Sequence, residues 1–161
     1  MEFKVGEKAV HPNHGVGEVT AVEMKEIAGH TKKFYILRIV ESGIKVMVPT
    51  DAAARVGLRS VISKKEADKV LAVLKETKVA VTSQPWNRRQ REYTEMLNSG
   101  SPIEVAKVLR DLTRLKSDKE LSLGERRLLD HARGLLVTEL ALARRSNEER
   151  VEAEIKGILT N

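Results

Sequence analysis

The stretch Arg59-Ser60-Val61-Ile62-Ser63-Lys64-Lys65-Glu66-Ala67-Asp68-Lys69-Val70-Leu71 divides this chain into two kinds of sequence. Up to Ile62, Val outnumbers Leu ten to two; beyond it, Leu outnumbers Val fifteen to eight. Six of the ten glycines and three of the five aromatic residues also lie before the divide. β-Branched and aromatic residues suit strands, whereas Leu, Glu and Arg suit helices. The first 62 residues therefore read as mostly β and residues 63–161 as mostly α. Ser63-x-x-Glu66 is itself a helix start: the serine hydroxyl can accept from the N3 amide while the glutamate reaches back to the cap.

Working outward toward the C-terminus, the same punctuation returns at Ser101-x-x-Glu104, Ser122-x-x-Glu125 and Ser146-x-x-Glu149. Pro102 sits at a first helical position, where its missing N–H is not needed. Pro85 marks a further start, with Ser83 or Gln84 as its cap, and Gly100 closes that helix. Helices are expected near 64–76, 85–98, 102–115, 123–144 and 147–159. Ile103, Ala106, Leu109, Leu112 and Leu115 mark one apolar face; Leu128, Ala132, Leu135, Leu136 and Leu140 mark another. Toward the N-terminus, about five short strands are expected. They surround Lys8–Val10, the Val16-x-x-Val19-x-x-Val22 run ending near Ala28-Gly29, Phe34–Val40 and Ile44–Val48, with Pro12-Asn13-His14-Gly15 as a turn. A small curved barrel of the SH3 or Tudor type fits so few residues. The expected architecture is α+β with two domains: a barrel over 1–62 and a compact helical domain of about five helices over 63–161.

Length and composition exclude several classes. The chain has 161 residues, a net charge of +6 and no cysteine, which removes disulfide frameworks, thiolate zinc sites and thiol nucleophiles. Its longest apolar run is the five residues Val70–Leu74, against the ~20 of a membrane span. Met1–Gly6 carries no apolar core of a secretory signal. A soluble, intracellular protein is expected, with no membrane partner. His11 and His14 flank a turn, and a metal-dependent enzyme built on them is one reading; a polar turn is the simpler one. No His-Glu-x-x-His, phosphate-binding Gly-rich loop or Gly-x-Ser-x-Gly occurs. Nothing calls for a catalytic residue, a metal or a cofactor.

Binding has a local signal. Charge is +2 in each of residues 1–60, 61–80 and 81–161, so there is no basic tail. Pro85-Trp86-Asn87-Arg88-Arg89-Gln90-Arg91 holds the only Trp and three arginines without an acid. At a helix N-terminus, the dipole and free amides already favour phosphate, and a guanidinium fork can bind two of its oxygens. Trp86 can stack on a base or wedge into a step. By spacing it also shares a helical face with Tyr93, Met96 and Leu97, and a lone Trp at a helix start is more often a core anchor; the three arginines can equally be a solvated face. In the β part an edge strand offers a backbone for another protein to extend. Val46-Met47-Val48 is apolar; by alternation Val46 and Val48 fill the barrel and Met47 points out.

These residues also carry a resemblance. Phe3-Lys4-Val5-Gly6-Glu7-Lys8-Ala9-Val10-x-Pro12-x-x-Gly15-Val16-Gly17, Val48-Pro49, and Val56-Gly57-Leu58-Arg59 resemble the opening of the CarD/CdnL family of bacterial transcription regulators. Trp86-Asn87-Arg88-Arg89, Val108-Leu109-Arg110-Asp111-Leu112 and Leu121-Ser122-x-Gly124-Glu125-Arg126-Arg127-x-Leu129 continue it in register. The N-terminal part also resembles the polymerase-binding module of transcription-repair coupling factors. The resemblance implies a Tudor-like domain that binds the β subunit of RNA polymerase, through Lys25 and the strand Val46, Met47, Val48 and Pro49. It implies a helical domain that meets promoter DNA at the upstream edge of the −10 element. There Trp86 would wedge into the minor groove, with Arg88, Arg89, Arg91 and Arg126 beside it. The expected result is a longer-lived open complex without sequence-specific readout. The implied protein is a non-enzymatic monomer of the cytoplasm, nucleoid-associated through polymerase. Met47 stands where some members are basic, Gln90 where an aromatic residue is frequent, and Leu123 where some are aromatic. A protein–protein adaptor without DNA contact is the alternative.

Overall fold

The computed structural model describes residues 2–76, 86–118 and 120–160, and only the backbone of Trp86, Asn87 and Asp118. The chain separates into two compact units, Met1–Val61 and Ile62–Asn161. The cap expected at Ser83 or Gln84 lies outside the described residues.

The first unit is an antiparallel meander of β1 (Lys8–His11), β2 (Gly15–Ile27), β3 (His30–Ile39) and β4 (Lys45–Pro49). It has four strands where about five short ones are expected, because β2 and β3 run on as a hairpin of 13 and 10 residues. The turn between them is Ala28-Gly29, both at positive φ (51° and 78°), which is the backbone of a two-residue hairpin turn. The fifth element is a single bridge: Val10 and Arg59 exchange both backbone hydrogen bonds, at 2.7 and 3.1 Å. The sheet curls at Thr20, where the β2–β3 register shifts between Val19 and Ala21. An extra residue there bends the strand, and the Thr20 hydroxyl donates to the Ile36 carbonyl (3.3 Å).

The curled sheet encloses Phe3, Ala9, Val19, Tyr35, Leu37, Val48, Ala53 and Leu58. The Phe3 ring meets Tyr35 edge-on at 5.7 Å, and its N–H donates to the Tyr35 hydroxyl (3.2 Å), so the buried phenol is satisfied. After β4, a 3-10 turn (Thr50–Ala52) and the short helix α1 (Ala53–Val56) lead back to Arg59. Gly57 ends α1 in the left-handed region (φ 97°), and a Cβ there would lie 3.1 Å from Pro12 Cγ. Both facts favour glycine at this position.

The second unit contains α2 (Lys64–Lys75), α3 (Trp86–Asn98), α4 (Pro102–Asp118), α5 (Leu123–Ala143) and α6 (Glu148–Leu159). Ser63 and Ser122 form full capping boxes with Glu66 and Glu125. Ser101 accepts from the Glu104 amide at 3.4 Å. The last helix departs from expectation: Asn147, not Ser146, caps it and accepts from the Arg150 amide (2.9 Å). Gly100 follows α3 at φ 79°. α4 packs against all four other helices through Ala106, Leu109 and Leu112, none more than 1% exposed. Arg110 is 6% exposed and donates to the Val73 carbonyl, Glu76 and Asp111, which ties the end of α2 to α4. Among the described residues no helix is long and apolar enough to cross a membrane.

Candidate functional site

Two surfaces carry the residues singled out in the sequence, one in each unit. In the first unit, register decides which side chains share a face. Met47 pairs with Ile36 and Pro49 with Phe34; across β3, Ile36 pairs with Ala21, Phe34 with Glu23, and Lys32 with Lys25. Side chains alternate along a strand, so Lys25, Met47 and Pro49 stand on one face with Phe34 and Ile36 between them. Met47 is 43% exposed, whereas Phe34 and Ile36 are buried. Lys25 pairs with Glu23 at 3.7 Å with both side chains nearly half exposed, an ion pair of little energetic weight.

Val46 and Val48 face the other way. Val48 belongs to the barrel core at 2% exposure and Val46 packs against that core. The side chains of these two are thus taken up by the core. β4 is the last strand in the sheet order and pairs with β3 alone among the described residues, so its outer side is an open edge. The sequence reading did not assign Phe34 and Ile36 to this face. The signal was present: Phe34-Tyr35-Ile36-Leu37 is apolar without alternation, the mark of a strand buried on both faces.

In the second unit the candidate cations lie on α3 and the start of α5, helices that pack against each other. The first turn of α3 holds no acid. Arg88 and Arg91 are exposed and form no ion pair among the described residues. Arg89 is half-buried, with its guanidinium carbon 6.0 Å from the Tyr93 ring centroid, one helical turn on. Its Nε is buried without a hydrogen-bond partner among the described residues. Tyr93 and Met96 pack on the helical core and Leu97 is part of it, so this face of α3 anchors the helix. The Trp86 side chain, and with it the choice between core anchor and exposed wedge, lies outside what is described.

At α5, Ser122 and Glu125 satisfy the helix start while Leu123 stands 66% exposed beside Arg126. Arg126 donates to Glu120 at 3.1 Å, both groups being more than half exposed. Such an exposed pair contributes little to stability.

The histidine turn has different chemistry. His11 is 8% exposed, its ring centroid lies 4.9 Å from that of His14, and its Nδ1 accepts from the Asn13 amide (3.2 Å). Burial first, and then the neighbouring His14, hold the His11 pKa below the usual histidine value. Among the described residues no group of three or more His, Cys, Asp or Glu is placed to hold a metal ion.

The family comparisons cover both units. Residues 3–62 match the CarD-like/TRCF RID domain and residues 69–156 match CarD, C-terminal domain. YdeB of Bacillus subtilis (strain 168), whose name places it among transcription factors, is 28% identical over 151 residues, spanning 94% of this chain and 98% of YdeB. Among solved structures, CdnLNt of Myxococcus xanthus is 49% identical over 39% of this chain and 89% of its own, with a TM-score of 0.34. The 72-residue N-terminal domain of Myxococcus xanthus CarD, solved by NMR, is 39% identical over 37% of this chain and 79% of its own, with a TM-score of 0.33. With both of its parts matched in order, the chain belongs to the CarD/CdnL family of transcription regulators.

Proposed function

We propose that the chain is a non-enzymatic, monomeric, cytoplasmic regulator that binds RNA polymerase and stabilises open promoter complexes. Residues 1–62 are the polymerase-interacting domain and dock on the β subunit through Lys25, Met47, Pro49 and the open edge of β4. Residues 63–161 contact promoter DNA at the upstream edge of the −10 element. Trp86 is the minor-groove wedge, and Arg88, Arg89, Arg91 and Arg126 hold phosphates around it. The observation that carries this reading is the acid-free start of α3, where exposed Arg88 and Arg91 have no ion pair among the described residues. Cations kept free of carboxylates at a helix N-terminus are suited to an external polyanion.

The modest charge is consistent with this role. Affinity for free DNA comes largely from phosphate contacts and falls with salt. A regulator carried by polymerase needs few of them, because tethering raises the effective DNA concentration to about millimolar. Inserting a wedge costs a few kcal/mol of unstacking in intact duplex and less where the duplex is opening. It therefore binds the open state better, the condition for shifting that equilibrium. A preference of about 1.4 kcal/mol is tenfold. Open-complex lifetime with wild type and Trp86→Ala tests the reading. The variant should bind polymerase normally and fail to prolong the lifetime. Full prolongation by a folded, polymerase-bound variant would exclude the wedge, and loss of β-subunit binding alone would leave the adaptor reading.

A further inference from the structure

The helical unit contains a cavity that the DNA reading does not use. It lies between the second half of α4, the middle of α5 and α6, and measures about 840 Å³. Small-molecule sites span about 300–1,000 Å³. One side is apolar: Leu109, Val137 and Ile155 are buried members of the helical core, and Leu159 packs against them. The other side is cationic, with Arg114, Lys116, Arg133 and Lys156 against Glu152, the one acid among the described lining residues.

Two atoms of this lining lack the partners that burial calls for. Thr113 Oγ1 and Arg114 Nη1 are buried and have no hydrogen-bond partner among the described residues. Arg114 is fixed through its other terminal nitrogen, which donates to the Glu76 carbonyl. A buried guanidinium nitrogen without an acceptor is more costly than a neutral orphan, and an anionic oxygen would satisfy it. Among the described residues Arg133 has a carboxylate partner, Asp130 at 3.7 Å, whereas Lys116 and Lys156 have none. Among the described residues no aromatic side chain lines the cavity, so they supply no stacking platform for a nucleobase.

We propose that this cavity binds a small amphipathic anion, with a carboxylate head on Arg114 and Thr113 and an aliphatic body against the core side. The test is a titration of the isotope-labelled full chain with decanoate below its micelle concentration, read by amide chemical shifts. Saturable shifts should be confined to the second half of α4, the middle of α5 and α6, with a Kd of about 0.1–1 mM for so small a ligand. Arg114→Gln should weaken binding about tenfold, as loss of a charge-assisted contact does. The exposed pair Lys116→Gln and Lys156→Gln should together weaken it about threefold and keeps the test valid if the first variant unfolds. Equal shifts from decanol or from inorganic phosphate would overturn the proposal. So would the absence of saturation by about 5 mM, or insensitivity to the charge variants. Duplex DNA shifting these same amides while decanoate shifts none would assign the cations to a phosphate track. Binding to phosphatidylglycerol vesicles without binding to decanoate would assign them to a membrane surface. Either result refutes the small-anion site.

Discussion

Met47 and Val48 are neighbours in β4 with opposite fates, and together they separate docking from folding. Met47 is 43% exposed on the face that carries Lys25 and Pro49, while Val48 is 2% exposed in the barrel core. Full burial of a Met side chain contributes about 1.5–3 kcal/mol. Covering the remaining 43% in an interface would thus contribute about 0.6–1.3 kcal/mol, or roughly threefold to tenfold in affinity. Met47→Ala should lose that factor for the β subunit. Met47→Asp adds a carboxylate desolvated beside Ile36, at about 1–3 kcal/mol more, and should lower affinity by about fifteenfold or more, to the order of 10³ at the upper end. Neither change opens the core, so stability should stay within about 0.5 kcal/mol of wild type.

Val48→Ala should do the reverse. Removing two core methyl groups at about 0.8 kcal/mol each, plus a small cavity, costs about 2 kcal/mol. That corresponds to a fall in Tm of about 4–8 °C for a chain of this length. Affinity, measured at a temperature where the variant is folded, should change little. The assays are calorimetric melting and titration of immobilised β subunit. Undiminished binding by Met47→Asp, or a fall in its Tm as large as that of Val48→Ala, would refute the assignment of this face.

Three further outcomes follow from single sites. Gly57→Ala should lower stability by about 1–3 kcal/mol, because it forces a side chain into left-handed backbone 3.1 Å from Pro12; denaturant midpoints check it. His11 is held neutral in the fold, so the unfolded chain binds a proton more readily as pH falls. Stability is retained above the unfolded value of 6.5 and is lost as pH drops through it toward the lower folded value; melting between pH 7.5 and 5.5 should show a slope that His11→Asn reduces. Glu120→Gln removes the carboxylate of an exposed pair, so stability should move by less than about 0.5 kcal/mol. It also frees Arg126, so open-complex lifetime should hold or lengthen; a shortened lifetime would argue against a phosphate contact by Arg126.

Local chemistry was readable in the sequence where a residue's partner lies three positions away. Ser63 and Ser122 cap as their spacing dictates, since a capping box needs nothing beyond its own turn. Ser146 and Asn147 are both able caps, and spacing could not choose between them; the structure selects Asn147. The lengths of β2 and β3 were less readable. Residues Glu23–Ile27 and His30–Lys33 are exposed on both faces, so no hydrophobic alternation marks them, and the antiparallel ladder alone extends the strands. The Arg59 bridge was hidden for another reason: its partner Val10 is nearly fifty residues away, and one bridge leaves no periodic signal.

The proposed docking face shows why a site can be composed of readable residues and still not be readable as a site. That Met47 turns outward follows from β4 alone. That Lys25 joins it depends on Thr20. Val19 pairs with Leu37, and in an unbroken antiparallel ladder Ala21 would pair with Tyr35; instead Ala21 pairs with Ile36. This one-residue shift carries through to Lys25, which pairs with Lys32 and so shares the face of Phe34, Ile36 and Met47. Without the extra residue Lys25 would stand opposite Thr31, on the face of Tyr35 and Leu37, because a slip of one residue reverses every side chain. A cation and the exposed Met47 are thus brought to one face by an irregularity whose sequence signature is a single threonine in a run of valines. A bulge that both bends the sheet around its core and sets the parity of its outer face links the fold of this unit directly to the surface proposed to meet polymerase.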